Sequence, residues 1–459
     1  MDIDAIKSVY FIGAGGIGMS ALVRYFLSLG KVVAGYDRTA SELTERLNAE
    51  GAAIHYEDSV ALIPEICRDR KHTLVVYTPA VPKNHSELVW FGEQGFEIQK
   101  RAQVLGTITR SRRGLCVAGT HGKTTTSSMA AHLIYASHVG ATAFLGGISQ
   151  NYGTNLLLTD KSDYVVIEAD EYDRSFHQLL PYMTVITSTD PDHLDIYGTP
   201  EAYWESFEEY TSLIQPGGAL IIHEGLEITP RVQEGVQVLT YSRDKGDYHA
   251  ENVRVGGGEI VFDFVHPGGV IKDISLGVPL SVNIDNGIAA MAMAQLAGVT
   301  DDELREGMAS FRGVERRFDF KLKTDNKVYL SDYAHHPAEI RQSALSIREL
   351  YAGRKVTAIF QPHLYSRTQD FYREFAESLS LFDEVILTNI YPAREEPIPG
   401  VTSALIYNNL APRVEKMMIN KNEVLAIVEN KKDELEVLVT LGAGDIENFA
   451  TAITKILEG

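Results

Sequence analysis

Only two cysteines, Cys67 and Cys116, occur in 459 residues, and both lie in apolar surroundings. Two thiols cannot make a disulfide framework, and theirs is not a metal-ligand spacing, so they read as buried thiols of a reducing compartment. Positive charge is also scarce, with 42 Lys and Arg against 62 Asp and Glu and a formal charge of −20. Such a surface repels nucleic acid and anionic membranes, which argues against broad phosphate-backbone binding. No apolar stretch approaches the length of a membrane span. Met1-Asp2-Ile3-Asp4 lacks the basic flank and apolar run of a signal peptide. Solenoid repeats and low-complexity tracts are absent too. The expectation is a cytoplasmic protein without a nucleic-acid partner and without membrane insertion. The hydrophobic fraction, 44%, is ordinary, and the length suits about three domains of ~150 residues each.

Two glycine-rich segments stand out. Val9-Tyr10-Phe11-Ile12 reads as a strand, followed by Gly13-Ala14-Gly15-Gly16-Ile17-Gly18, a helical pattern from Met19 to Leu29, and a second strand that ends at Asp37. This βαβ opening with G-x-G-x-x-G and an acid about 20 residues on suits a diphosphate ligand. The second segment is Gly119-Thr120-His121-Gly122-Lys123-Thr124-Thr125-Thr126, directly after Leu115-Cys116-Val117. A strand ending in glycines and then Lys-Thr builds a nest of backbone N–H groups at a helix N-terminus. Lys123 adds a point charge for outer phosphates, and a threonine hydroxyl can hold Mg²⁺. Val117 stands where the strict Walker spacing wants glycine, so this is a shortened P-loop. An NAD-dependent dehydrogenase would explain the first loop and leave the second unexplained. A nucleotide-binding module without catalysis is a further alternative.

Ligands of parallel α/β sheets bind at the carboxyl ends of strands. That rule groups Lys123 and Thr124 with Glu171, after Tyr164-Val165-Val166-Ile167, and with His193, after Val185-Ile186-Thr187-Ser188. Thr124 and Glu171 offer the oxygens Mg²⁺ favours. His193, between Asp192 and Asp195, completes a second metal position or belongs to a surface turn. The basic stretch Arg110-Ser111-Arg112-Arg113-Gly114 reads as a solvated linker, and Val236 to Ile274 as short antiparallel strands turning at Gly256-Gly257-Gly258. Beyond Gly313-Val314-Glu315-Arg316-Arg317-Phe318 a third α/β unit begins. There Asp332-Tyr333-Ala334-His335-His336-Pro337 and Gln361-Pro362-His363-Leu364-Tyr365-Ser366-Arg367 each follow a strand. Adjacent histidines before proline chelate zinc poorly, so Arg367 and His363 read better as an anion-binding rim.

Together these segments, with Glu168-Ala169-Asp170-Glu171, Asp192-His193-Leu194-Asp195 and Gly442-Ala443-Gly444-Asp445, resemble the Mur ligases in the family's order and over essentially the whole chain. The resemblance implies a three-domain α/β protein. Residues 1–109 would form a Rossmann-like domain for a UDP-sugar, 110–314 a central P-loop domain of ATPase type, and 315–459 a Rossmann-like domain that binds the amino acid and closes over ATP. It is strongest to the member that joins L-alanine to the lactyl carboxylate of UDP-N-acetylmuramate, using ATP and Mg²⁺ through an acyl phosphate. The alternative member is the recycling ligase that adds a whole peptide to the same UDP-sugar. Under this resemblance Lys123, Glu171, His193, His336 and Arg367 are catalytic, and Thr124, Glu171 and His193 hold metal. ATP would meet Gly119, Thr120, His121, Gly122, Lys123, Thr124, Thr125, Asn283, Asn286, Arg316, Arg317 and Asp332. The UDP-sugar and alanine side would be lined by Gly13, Gly15, Gly16, Ile17, Gly18, Met19, Asp37, His363 and Arg367. No lysine lies between Lys161 and Lys245, so the carbamoylated lysine of several relatives looks absent after His193. Val282 before Asn283, Leu364 after His363, and Tyr77-Thr78-Pro79-Ala80 depart from the more usual pattern. The expected assembly is a monomer or homodimer.

Overall fold

A computed structural model describes residues 3–459 except Pro79, Arg316 and Arg394, and leaves the side chains of Asp4 and Asp195 undescribed. Two compact units divide it. One comprises 1–251, 263–274 and 285–311, and the other 252–262, 275–284 and 312–459.

The first unit opens with a parallel sheet made of β1 (Ser8–Ile12), β2 (Val32–Tyr36), β3 (Ala53–His55), β4 (Thr73–Tyr77) and β5 (Glu97–Lys100), in the order β3-β2-β1-β4-β5. This is the strand order of half a doubly wound fold, with a crevice where the connection reverses beside β1. β1 is buried at all five residues, as a strand covered on both faces must be.

A seven-stranded sheet follows, built from β6 (Arg113–Ala118), β7 (Thr142–Ser149), β8 (Thr154–Leu157), β9 (Tyr164–Glu168), β10 (Pro181–Ile186), β11 (Ala219–His223) and β12 (Gln237–Tyr241). Its order is β12-β11-β10-β6-β9-β7-β8, parallel except for β8. Two sequence expectations fail here. Arg110 and Ser111 end the helix Arg101–Ser111, and Arg113 already opens β6, so the basic stretch is no linker. Gly114 is buried between Val165 and Pro181, and the Arg113 guanidinium sits 5.0 Å from the centre of the Tyr182 ring. Gln237–Tyr241, expected among antiparallel strands, instead pairs parallel with β11.

One apolar core joins these two sheets, running from Ile6 through Phe26, Val104 and Phe144 to Ile222. The helix Ile17–Ser28 supplies the link. Tyr25 meets Phe144 edge-on at 5.2 Å, and Arg24 Nη1 donates to Asn155 Oδ1 at 2.5 Å. Asn155, fully buried, returns hydrogen bonds to Ile17 O and Ser20 Oγ. Both cysteines are buried and unpaired, and burial pushes the Cys67 thiol up to about 11 and that of Cys116 to about 12.

β13 (His249–Gly256), β14 (Glu259–His266) and β15 (Gly269–Ser275) form a three-stranded sheet, and the Ala- and Met-rich helix Val282–Leu296 follows. The second unit contains β16 (Asp319–Lys323), β17 (Val328–Asp332), β18 (Val356–Phe360), β19 (Glu384–Leu387), β20 (Glu415–Met418) and β21 (Val437–Leu441). Their order is β16-β17-β21-β18-β19-β20, with β16 alone antiparallel. No helix among the described residues is long and apolar enough to cross a membrane.

Candidate active site

The glycine loop after β6 is shaped by close approach. Gly119 has φ +133°, and a Cβ there would lie 2.1 Å from Thr187 Oγ1 and 2.8 Å from Ser188 N. Gly122, at φ +81°, caps the helix Lys123–Ala136, and its Cβ would lie 2.7 Å from Asn286 Oδ1. Only glycine adopts both conformations without strain. Neighbouring strand ends hold the loop: Thr120 N donates to Ser188 O, His121 N to Ser188 Oγ, and Thr120 Oγ1 to Asp190 O. The first N–H groups of the helix, at Lys123, Thr124 and Thr125, have no intrahelical acceptor and point along the positive end of its dipole.

Lys123 Nζ donates to both Glu171 oxygens, at 2.8 and 2.7 Å, and to Gly119 O at 2.6 Å. Glu171 is 2% exposed. The donor set expected for Mg²⁺ is arranged differently from the sequence reading. Thr124 Oγ1 faces Glu168, at 3.2 and 3.0 Å from its two oxygens, and not Glu171, which the lysine holds. Glu168 ends β9, where an acid reads as the strand's boundary, so the sequence alone does not single it out as a metal ligand. Burial pushes both carboxyls above the ordinary glutamate range, while Lys123 draws them back. Gly146 on β7 makes the room, since a Cβ there would lie 2.0 Å from Glu168 Oε2.

His193 starts the short helix Leu194–Tyr197 at φ +53°. Its ring meets Tyr172, the residue after Glu171, edge-on at 5.1 Å, and Asp192 Oδ2 lies 3.8 Å from its Nε2. Asn286 is drawn to the loop, where its Oδ1 accepts from Thr126 Oγ1 at 3.1 Å. Asn283 is buried and donates to Val278 O. Among the described residues no three His, Cys, Asp or Glu side chains form a metal-holding group.

On the first sheet, Gly15 N donates to Asp37 Oδ2 at 2.7 Å, which joins the glycine loop to the acid ending β2. A Cβ at Gly13 would lie 2.4 Å from Thr78 Cγ2, and one at Gly18 would lie 2.8 Å from Arg101 Nη1. Gly16 precedes the helix, and a Cβ there would make ordinary contact with Gly13 O and Met19 Cγ at 3.8 Å, while Ile17 is exposed. Met19 differs from its expected role, because it is buried in the core beneath the loop.

In the second unit the motifs converge on the carboxyl ends of β17, β21 and β18, which are neighbours in the sheet. Asp332 accepts from Ser343 Oγ, and burial pushes its carboxyl up. Gln361 donates to Asp445 Oδ1 and accepts from Ile446 N. His336 caps the helix Pro337–Leu350 and meets the Phe371 ring at 5.3 Å. His363 lies parallel to Tyr391, with Nδ1 3.3 Å from Arg367 Nη1. The Arg317 guanidinium lies 5.9 Å from the Tyr333 ring. Arg316 falls outside the described residues. Leu364 holds φ +71° and ψ +138°, a region that strains any residue but glycine.

Family models agree with this arrangement. The "Mur ligase family, catalytic domain" model matches residues 8–113, the "Mur ligase middle domain" model 117–294, and the "Mur ligase, glutamate ligase domain" model 316–446. The chain belongs to the Mur ligase family. Its curated relatives include a UDP-N-acetylmuramate–L-alanine ligase of Phocaeicola vulgatus, 67% identical over 100% of this chain and 99% of the relative. A protein of the same name from Parabacteroides distasonis is 61% identical over 100% of this chain and 98% of that one. Among solved structures, this Mur ligase resembles the UDP-N-acetylmuramate–alanine ligase of Thermotoga maritima, with TM-score 0.82 and 27% identity over 98% of this chain and 99% of that one. A murein peptide ligase of Psychrobacter arcticus shares the fold at TM-score 0.66 and 20% identity, over 98% of each chain.

Proposed function

We propose that this Mur ligase joins L-alanine to the lactyl carboxylate of UDP-N-acetylmuramate at the expense of ATP, an early step of peptidoglycan precursor synthesis. The observation that carries this reading is full-length identity of 67% and 61% to relatives of that name. The two unpaired thiols suit the cytoplasm.

The residues fit the groups the reaction needs. For ATP there is a glycine cradle that a Cβ would fill, a lysine, and a helix N-terminus. For Mg²⁺ there are hard oxygen donors on Thr124, Glu168 and Glu171. Glu168, Asp170 and Glu171 are answered by Lys123 and Arg101, which leaves a negative excess suited to a dication. When bound there, Mg²⁺ would supply charge neutralisation between phosphate oxygens. In this assignment Lys123 moves from Glu171 to the outer phosphates as the substrate carboxylate is phosphorylated. Thr124 and Glu168 would hold one Mg²⁺, with Glu171 beside them, and His193 would serve a second. Asn283, Asn286, Arg317 and Asp332 address the nucleotide. The first-sheet loop from Gly13 to Gly18, with Asp37, takes the UDP moiety. His336, His363 and Arg367 receive the muramoyl and alanine carboxylates. The nucleophiles belong to the substrates, so the protein's contribution is positioning and electrostatic stabilisation.

The test is phosphate release from ATP with Mg²⁺ and UDP-N-acetylmuramate, with and without L-alanine, and the product mass. Release that requires alanine, with a product heavier by one alanyl residue, supports the assignment. Release with a peptide acceptor but not with alanine overturns it in favour of peptide recycling.

A further inference from the structure

The six-stranded sheet of the second unit has a cleft at the end of its strands opposite the motif-bearing one. It encloses about 520 Å³ and is lined by Arg348, Arg354, Lys355, Asp383, Arg413 and Glu415, with Gly353 and Phe382 between them. These residues lie just before β18, β19 and β20 or on the helix that precedes β18. A five-residue strand spans about 16 Å, so the cleft is remote from Gln361 and His363 at the other end. Nothing in the proposed reaction uses it.

Its charge is unusual for a chain of net charge −20. Four cations line it against two carboxylates, and both carboxylates are already engaged. Asp383 accepts from Arg348 Nη2 at 2.7 Å and from Val356 N at 2.8 Å. Glu415 accepts from Lys355 Nζ at 2.7 Å. Glu384, behind Lys355, is taken by Lys431. Among the described residues, the Arg413 side chain hydrogen-bonds the carbonyl of Ser380 alone, and that of Arg354 the carbonyls of Asn326 and Glu436. The nearest carboxylate to Arg354, on Glu436, is 3.9 Å from Nε. Among the described residues, no hydrogen bond accounts for Nη1 of Arg348, Arg354 or Arg413, or for Nε of Arg413. Three guanidinium groups, one from the helix Pro337–Leu350 and two from the loops before β18 and β20, thus keep donors available around one cavity. Convergence from several sides suits a tetrahedral anion better than a planar carboxylate, and guanidinium forks match phosphate oxygens. The volume suits a ligand of sugar-phosphate or mononucleotide size.

We propose that this cleft is a binding site for a small phosphate-bearing anion, separate from the P-loop, held by Arg413 and Arg354 with Arg348 at its side. Occupancy ties together the loops that launch β18, β19 and β20. The inference does not depend on the reaction assigned above.

Hydrogen exchange with mass spectrometry on the full-length protein tests it, with pyrophosphate as the probe and the P-loop peptides as a separate readout. Peptides covering 351–356, 380–384 and 411–415 should exchange about tenfold more slowly once pyrophosphate reaches about ten times its Kd. Arg413→Gln should abolish that protection and leave P-loop protection unchanged, while Arg413→Lys should keep part of it. Protection confined to the P-loop in the unmodified protein overturns the proposal, and so does cleft protection that survives Arg413→Gln. The first of these outcomes needs no variant, so a misfolded substitution does not shield the idea.

Discussion

Lys123→Met removes the cation that hydrogen-bonds the buried Glu171 and draws on Glu168 beside it. The lysine side chain is 14% exposed and the Glu171 side chain 3%, so solvent hardly screens the pair. Breaking a buried pair from one side typically costs about 3–5 kcal/mol, because the remaining charge stays buried without its partner. With a urea m-value near 2 kcal/mol/M, the unfolding midpoint falls by about 2 M. Trp204 reports on the central sheet, since its Nε1 donates to Thr189 O, and Trp90→Phe removes the other tryptophan. The loss has a pH signature. Burial holds the Glu171 carboxyl above its ordinary value of 4.5 and Lys123 lowers it, so the variant raises it further. A raised acid binds its proton more tightly in the folded state, so stability falls as pH rises from the unfolded value through the folded one. The variant's deficit should therefore be large at pH 8 and small near pH 5. Lys123→Met with Glu171→Gln should recover most of it, although neither variant should release phosphate. A deficit equal at both pH values, or one that Glu171→Gln leaves unrelieved, refutes the reasoning.

Gly119→Ala forces a Cβ into Thr187 and Ser188 at a φ of +133°. Displacing the loop should lower kcat/KM for ATP by about 100-fold, measured by phosphate release. Glu168→Gln should raise the Mg²⁺ needed for half-maximal release by about tenfold, whereas a purely structural Glu168 would change stability and leave the Mg²⁺ titration in place. In the first sheet, burial pushes the Glu87 carboxyl up to about 7 against the pull of the Tyr10 hydroxyl. Stability should fall as pH rises from about 4.5 to about 7, at a slope no steeper than about 1.4 kcal/mol per pH unit for one proton. Glu87→Gln should flatten that slope in thermal melts.

Strands buried on both faces were plain in the sequence, because Val9–Ile12, Leu74–Tyr77 and Val437–Leu441 are apolar runs, broken only by Thr440, that end at glycine or polar residues. The glycine loops were plain as well, since their conformations admit little else. Thr142–Ser149 and Thr154–Leu157 were less visible: Thr, Gly, Ser and Asn interrupt them, and their stability comes from packing against the helix Ile17–Ser28. Arg110–Gly114 misled because a run of charge resembles a linker, while here the arginine stems lie along a helix end and a tyrosine face. The acid facing Thr124 could not be chosen from spacing. Glu168 ends β9 and Glu171 follows it by three residues, and only the fold shows that one side chain reaches the threonine and the other the lysine.

The apolar core shared by the first two sheets has an energetic consequence. Because Arg24, Asn155, Tyr25 and Phe144 knit the sheets together, neither can unfold without stripping the other of packing in the shared core. A sugar nucleotide bound at the Gly13–Gly18 loop, as proposed, would shield the P-loop from heat and protease without touching it, by about 2.7 kcal/mol at a hundred times its Kd. Each ligand becomes a stabiliser of its neighbour's site, and Trp204 would register the occupancy of a pocket it never meets.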